Sequence, residues 1–208
     1  MSTATDFDVI VVGAGSAGVA AAIASARHGA RTLLVESAPM IGGELISGIA
    51  MLGCLSTRGD WIVGGVVTDL FERLKPRGGY IGPVFDYRAL HLVCFDTELM
   101  KIAVMEAVAE AGVQPLVQTF FCGIETHEAG AIVRLLHKGG EARLTARVVI
   151  DCSGDGDVAV AAGAHSEKGA VGTGQLQPPS LVYRVCNVGT GPLLRFVREH
   201  PQHFALGD

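Results

Sequence analysis

The chain has 208 residues, of which 49% are hydrophobic and 18% are charged, so it can bury a full core and is not intrinsically disordered. Its formal net charge is −5 and it has no run of Lys or Arg, which argues against nucleic acid or an anionic membrane surface as a partner. No apolar stretch approaches the ~20 residues of a membrane span, and the N-terminus lacks the basic and apolar regions of a signal peptide.

The cysteines predict a reduced protein. They are odd in number, widely spaced and without a CxxC pair, which favours free thiols over a disulfide framework or a zinc site. We therefore expect a cytoplasmic protein without a metal centre. The five cysteines are Cys54, Cys94, Cys122, Cys152 and Cys186.

The first 36 residues predict a βαβ unit. In residues 8–12, Asp8 is followed by four β-branched apolar residues, as in a buried parallel strand. An Ala-rich segment from Ser16 to about His28 has helical spacing and ends at Gly29, and residues 31–35 form a second strand. The crossover between the two strands is expected to be right-handed.

A long irregular stretch follows and then returns to regular elements. Residues 37–60 are rich in glycine and are expected to be irregular, which in a compact domain usually has a functional reason. Residues 66–74 are predicted to be helical and residues 93–95 extended. Asp96 is the expected N-cap of a helix at about residues 97–111.

The next segment changes to a period of two. Residues 113–117, 119–125, 131–137 and 141–144 are predicted to be strands of an antiparallel β-meander, joined by glycine-containing turns. Residues 147–151 then form another buried parallel strand.

The remaining pattern sets the predicted domains. A short helix runs through Ala162, and Asp155 and Asp157 before it are expected to cap that helix rather than bind metal. A strand at residues 181–186 and a helix at about residues 192–199 follow. We predict an α/β fold with a Rossmann-like dinucleotide-binding domain at residues 1–170, a parallel sheet with a β-meander at about residues 113–145 inserted, and an incomplete substrate domain at residues 171–208. The sequence contains no internal repeat.

A glycine motif in the βαβ unit predicts a dinucleotide site. Gly13, Gly15 and Gly18 follow a strand and open a helix, and Glu36 ends the next strand. Gly13 forms the tight turn, Gly15 lets a pyrophosphate approach the helix N-terminus, and Gly18 lets helix and strand pack closely. Glu36 can accept hydrogen bonds from ribose hydroxyls and would repel a 2′-phosphate. These residues do not by themselves distinguish FAD from NAD.

Further motifs resemble one family in order along the chain. They are the glycine doublet in residues 37–48, the helix and strand from Phe95 to Val113, the segment 119–121, and the Asp151–Asp157 segment with its Ser-Gly-Asp-Gly-Asp sequence. Together these segments resemble FAD-dependent oxidoreductases with the glutathione-reductase-type FAD fold, relatives of the fumarate reductase and succinate dehydrogenase flavoproteins. The resemblance implies FAD as the cofactor.

The glycine motif and the resemblance together give the expected FAD contacts. Phe121 is expected to contribute its backbone next to the adenine, with its side chain in the core. The expected contacts are Gly13, Gly15, Ser16, Ala17, Gly18, Glu36, Ser37, Gly42, Gly43, Ser47, Phe121, Ser153, Gly154 and Asp157.

Catalytic residues are not defined by the sequence, although three candidates can be named. Cys54 lies in the loop expected near the flavin, where it is a redox thiol or a small buried packing residue. Arg58 either binds a carboxylate substrate or is a surface arginine. His91 is a proton donor or a structural histidine.

The predicted function is flavin-dependent oxidation or reduction of a small organic substrate, with hydride transfer to or from FAD. Two alternatives stay open. The first is a truncated or non-catalytic dinucleotide-binding subunit, because members of the resembled family are longer and a second chain could supply the missing C-terminal half. The second is an NAD-linked dehydrogenase built on the same βαβ unit.

Overall fold

The computed structural model describes residues 5–86, 90–181, 183 and 185–204. Within them, eight strands form two sheets, one of six strands and one of two. The strands are β1 (Phe7–Val12), β2 (Thr32–Val35), β3 (Tyr80–Asp86), β4 (Leu90–Phe95), β5 (Gln114–Leu116), β6 (Phe120–His127), β7 (Gly130–His137) and β8 (Gly140–Asp151).

The described residues form five α-helices. They are α1 (Ser16–Arg27), α2 (Val66–Leu74), α3 (Thr97–Glu110), α4 (Asp157–Ala161) and α5 (Thr190–Glu199), with short 3₁₀ turns at Gly43–Ile46, Lys75–Arg77 and Pro201–Phe204. Of these helices, α1, α2, α3 and α4 contribute buried residues to the apolar cores beside the larger sheet. The N-terminal βαβ unit, α2, the helix capped by Asp96 and the C-terminal helix therefore form where the sequence predicts them. The Asp96 carboxylate accepts hydrogen bonds from the N–H groups of Glu98 and Leu99 at 2.8 and 3.0 Å.

The larger sheet has six strands in the order β5-β2-β1-β8-β7-β6. β5, β2, β1 and β8 run parallel, whereas β8, β7 and β6 form the antiparallel meander. β8 belongs to both parts: residues 140–146 pair with β7 and residues 146–151 pair with β1. The carboxyl ends of β1, β2 and β8 therefore lie at one edge of the sheet, where ligands of doubly wound folds bind.

Two strand predictions in this sheet were wrong in detail. The predicted strands 141–144 and 147–151 are one continuous strand, because Thr145 and Ala146 continue the ladder without a turn. The strand predicted at 113–117 is not part of the antiparallel meander, because β5 pairs parallel with β2. Gln118, with a φ of 50°, turns the chain between β5 and β6.

The hairpin of β3 and β4 is a feature that the sequence pattern did not predict beyond residues 93–95. The two strands pair antiparallel from Tyr80–Phe95 to Asp86–Leu90. Gly82 and Pro83 lie in β3, and both residue types are depleted in strands, which hid this strand. A bridge between Met51 and Val93 joins the glycine-rich loop to the hairpin.

The strand predicted at 181–186 is not formed in the described residues of that segment. Leu181 and Tyr183 are 88% and 76% exposed. A strand requires a neighbour that pairs with its backbone groups, and the described residues provide none here. The alternation of side chains in this segment was therefore not sufficient to predict a strand.

Two apolar cores lie on opposite faces of the sheet. On one face, Val11 and Leu34 pack with buried residues of α1, α2 and α3. On the other face, Ile10 and Val35 pack with residues of the meander and with Val158 of α4. This double burial explains why β1 and β2 are continuous apolar runs, and it fixes the strand ends that form the site.

Candidate dinucleotide-binding site

A groove of about 490 Å³ lies at the carboxyl ends of β1, β2 and β8. The N-terminus of α1 forms one side of this groove, and the loop between β8 and α4 forms another. Its lining residues are Val12, Gly13, Gly15, Ser16, Ala17, Val35, Glu36, Ser37, Gly43, Glu44, Thr119, Phe120, Phe121, Cys152, Ser153, Gly154 and Asp157.

The N-terminus of α1 presents its backbone to the groove. Gly15 is the N-cap residue, and among the described residues no side chain caps this turn and no acidic residue lies in it. A Cβ added to Gly15 would meet no described atom within 4 Å. The unpaired N–H groups and the positive end of the helix dipole therefore face open space, which suits the pyrophosphate of a dinucleotide.

Three other glycines are required because backbone segments meet here. A Cβ on Gly13 would clash with the carbonyl oxygen of Cys152, and one on Gly18 would clash with the carbonyl oxygen of Gly13. A Cβ on Gly43 would lie 2.8 Å from the Cα of Gly15. Gly13 also has a φ of 94°, which L residues with side chains rarely adopt. The glycine doublet thus lies directly against the first glycine turn.

Glu36 orients its carboxylate towards the glycine turn from the end of β2. Its Oε2 accepts a hydrogen bond from the N–H of Ala14 at 2.7 Å. Its Oε1 accepts from the N–H of Ala38 at 2.8 Å and from the hydroxyl of Ser37 at 3.1 Å. A carboxylate has about four acceptor positions, so about one, on Oε2, is left for a ribose hydroxyl.

The loop between β8 and α4 is held by hydrogen bonds to Asp151 and Ser153. The hydroxyl of Ser153 donates to Asp151 Oδ1 at 2.7 Å and accepts from the N–H of Asp157 at 2.9 Å. Asp151 Oδ2 accepts from the N–H of Ala159 at 2.8 Å. Partial burial alone would raise the pKa of Asp151, but these hydrogen bonds outweigh it and hold the pKa below its usual value.

This network corrects the predicted role of Asp155 and Asp157 as helix caps. Gly156, with a φ of 73°, is the N-cap of α4, and Asp157 is the first helical residue. The N–H groups of this turn are satisfied by Ser153 and Asp151 instead. Because Asp151 lies six residues before the helix, local sequence spacing did not reveal it.

Eleven of the fourteen residues expected to contact FAD line this one groove, and the other three, Gly18, Gly42 and Ser47, do not. Gly18 lies beneath the glycine turn, as its packing role requires. Gly42 is buried, and its N–H donates to the carbonyl of Ala14 at 2.7 Å. The hydroxyl of Ser47 donates to the carbonyl of Glu44 at 2.9 Å. Direct contact between FAD and each of the fourteen residues stays a prediction.

Phe120 is the main lining residue that the sequence did not single out. It is 57% exposed beside the groove, whereas Phe121 packs against the second core. Side chains alternate along a strand, so an inward Phe121 in β6 places Phe120 outwards. The signal was therefore present in the sequence. The other lining residues outside the expected set are Val12, Val35, Glu44, Thr119 and Cys152.

The three candidate catalytic residues lie outside the groove lining. Cys54 is 2% exposed and lines a neighbouring apolar cavity of about 380 Å³, which shares Ser16 and Glu44 with the groove lining. Burial raises the pKa of its thiol. Arg58 is exposed and pairs with Asp60 at 3.5 Å. His91 packs against Phe85, with ring centroids 5.0 Å apart. A catalytic role for any of the three stays a prediction.

Two further properties concern the described residues only. No group of three His, Cys, Asp or Glu side chains among them could hold a metal ion. In the same part of the chain, every helix falls short of the length and apolar character that crossing a bilayer demands.

The sheet order, the glycine turn and the groove at the strand ends define an α/β dinucleotide-binding protein of the Rossmann-like class. Residues 8–206 match the family described as FAD dependent oxidoreductase. The chain therefore belongs to the FAD-dependent oxidoreductase family, and FAD is the cofactor that the family name specifies.

Named relatives agree with this family but are much longer. NADH:fumarate oxidoreductase of Klebsiella pneumoniae is 45% identical over 75 residues, which are 36% of this chain and 8% of that protein. Digeranylgeranylglycerophospholipid reductase 1 of Methanothermobacter thermautotrophicus is 31% identical over 160 residues, which are 72% of this chain and 39% of that protein. The chain thus covers well under half of the curated relatives it matches.

A solved structure shows the same fold. The geranylgeranyl bacteriochlorophyll reductase-like protein of Thermoplasma acidophilum is similar with a TM-score of 0.52 and 19% identity. The similarity covers 76% of this chain and 42% of that one. At this identity the comparison supports the arrangement of the elements and not a shared substrate.

Proposed function

We propose that this chain forms the FAD-binding part of a flavin-dependent oxidoreductase that transfers a hydride between FAD and a small organic substrate. The observation that carries the proposal is the single groove that gathers eleven of the expected contact residues at the carboxyl ends of β1, β2 and β8. Family membership supports the choice of FAD over NAD. FAD supplies the hydride chemistry through its isoalloxazine ring.

The residues of the groove fit the parts of FAD. The N-terminus of α1 at Gly15 would bind the pyrophosphate, because its N–H groups face open space. Glu36 would accept a ribose hydroxyl with its remaining acceptor position. Phe120, the first residue of β6, and Thr119 just before it would lie beside the adenine. These residues bind and orient the cofactor.

We also propose a division of the chain into a dinucleotide-binding domain at residues 1–170 and part of a substrate domain at residues 171–208. The buried residues of both cores lie between Ile10 and Val158, which supports a dinucleotide-binding domain that ends at residue 170. In the second segment, exposed apolar side chains support packing against further polypeptide, either a continuation of the same protein or a second chain. A cytoplasmic location is proposed because all five cysteines are free.

The test uses the visible absorption spectrum of the purified 208-residue chain with FAD added before gel filtration. We expect flavin bands to elute with the wild-type protein. Gly15→Ala should lose them, because the added Cβ points into the groove without meeting described protein atoms. The cost of alanine at this N-cap is about 1 kcal/mol, which the melting temperature would register.

Gly64→Ala provides the matched control. Gly64 also has open space around its Cβ position, and it lies outside the groove lining. This variant should keep the flavin bands. A wild-type chain that elutes colourless, or a Gly15→Ala variant that retains FAD as well as Gly64→Ala does, would contradict the proposed function.

A further inference from the structure

Asp151 lies behind the groove rather than in its lining, at the last position of β8. Its position is fixed by the sheet, because it pairs with Val12 of β1. Its Oδ1 accepts two hydrogen bonds from Ser153, from the N–H at 3.0 Å and from the hydroxyl at 2.7 Å. Its Oδ2 accepts from the N–H of Ala159 at 2.8 Å. One carboxylate thus joins the sheet, the groove loop and α4.

Ser153 connects Asp151 to the lining of the groove. Its hydroxyl uses its proton for Asp151 and accepts the N–H of Asp157 at 2.9 Å. Ser153, Gly154 and Asp157 all line the groove, and Gly154 has a φ of 91°. Glycine adopts this positive φ readily, and a single carboxylate holds the residues on both sides of the turn, Ser153 and Ala159.

We propose that Asp151 is a positioning residue for FAD binding, which acts through Ser153 to hold the groove-lining residues Ser153, Gly154 and Asp157 in the shape that receives the cofactor. The inference rests on the proposed function of the groove. Asp151 itself does not contact the cofactor. Because Asp151 already holds the loop in place, the loop loses less conformational entropy when FAD binds. Such preorganisation increases affinity.

The hydrogen-bond pattern explains why a carboxylate is required at this position. All three groups that bond to the side chain of Asp151 are donors: two N–H groups and one hydroxyl. Two of them bond to Oδ1 and the third bonds to Oδ2. An asparagine of the same shape would turn an NH₂ group towards one of these donors. Hydrogen bonds to a charged partner contribute about 1.5–3 kcal/mol each, so the substitution should release one end of the loop.

The first experiment measures FAD affinity by the change in flavin fluorescence on titration. Asp151→Asn is expected to raise the Kd for FAD about tenfold. Asp155→Asn is the matched control, because it removes the same charge from the same loop. Asp155 is exposed and makes no side-chain hydrogen bond among the described residues. Its Kd should stay within about twofold of wild type.

A double-mutant cycle tests whether Asp151 acts through Ser153. Ser153→Ala alone should also raise the Kd, and Asp151→Asn with Ser153→Ala should be little worse than Asp151→Asn alone. If each substitution instead acted only through a general loss of stability, their separate effects on the Kd would multiply in the double variant. Multiplying effects, or an unchanged Kd for Asp151→Asn, would overturn the positioning role. If Asp151→Asn fails to fold, Ser153→Ala tests the network without FAD, because the amide of Asp157 should then exchange faster than in wild type.

Hydrogen exchange gives a second measurement that does not need FAD. In Asp151→Asn, the amide of Ala159 should exchange about tenfold faster than in wild type, while amides of α3 stay unchanged. Unchanged exchange would overturn the network. If wild type does not bind FAD at all, the proposed function fails in every variant and the positioning role fails with it. If wild type binds FAD and Asp151→Asn binds it equally well, the proposed function stands and only the positioning role is overturned.

Discussion

Two neighbouring phenylalanines of β6 have opposite environments. Phe121 packs in the second core, whereas Phe120 is 57% exposed beside the groove. Thr119, just before them, is buried and donates its N–H to the carbonyl of Glu36 at 2.9 Å. Phe120 is therefore fixed next to the residue that would bind the ribose. We therefore expect its ring to stack on the adenine.

We expect Phe120→Ala to raise the Kd for FAD about tenfold, because stacking of a base on an aromatic ring contributes about 1–3 kcal/mol. The loss should be similar for ADP, which has the adenine but no flavin. Leu136 pairs with Phe120 across β6 and β7, and it is 47% exposed outside the groove lining. Leu136→Ala should leave both affinities unchanged; equal losses in the two variants would argue against stacking.

At the scale of single elements, α3 shows what local sequence determines. Asp96 precedes the apolar helical pattern, and its carboxylate accepts the N–H groups of Glu98 and Leu99. The buried face holds Met100, Ala103, Val104, Ala107 and Val108, at the spacing that predicted the helix. Cap and apolar face are both encoded within fifteen residues. For that reason the sequence predicted this helix closely.

Asp96→Ala should lower the free energy of unfolding by about 1 kcal/mol, because it leaves two N–H groups of α3 without their cap. Chemical denaturation followed by circular dichroism measures this loss. Asp155→Ala changes an exposed aspartate outside any helix cap and should cost less than about 0.5 kcal/mol. Equal stability of the two variants would show that the cap contributes nothing.

The elements that the sequence missed depend on distant partners. β3 is recognisable only through its pairing with β4, since Gly82 and Pro83 weaken its own strand pattern. β8 is continuous because its two halves pair with different neighbours. The glycine turn and Glu36, by contrast, were predictable, because a dinucleotide site requires them at fixed places in one βαβ unit. Asp151 was not, because its partners lie on both a loop and a helix.

For the whole molecule, the contrast lies between the double-sided core and the segment from residue 171 onwards. Val171 is 91% exposed, and Leu181 and Tyr183 are nearly as exposed. α5 adds Leu193 and Leu194, both of them exposed. Exposed apolar side chains that form a contiguous patch mark an interface or an aggregation-prone region, and this segment has several such side chains within about 25 residues. This exposure is the observation that supports our proposal of further polypeptide packed against the segment.

The purified chain should therefore bind the dye ANS and associate as its concentration rises, because exposed apolar side chains attract each other in water. A Leu193→Ser and Leu194→Ser double variant should reduce both effects at least twofold while FAD binding stays unchanged, since α5 lies outside the groove lining. Dye fluorescence and sedimentation measure the two effects. A wild-type chain that is monomeric at every concentration and does not bind ANS would mean that residues 171–199 cover their own apolar surface in solution. The proposal of further polypeptide on this segment would then fail, while FAD binding by the groove would be unaffected.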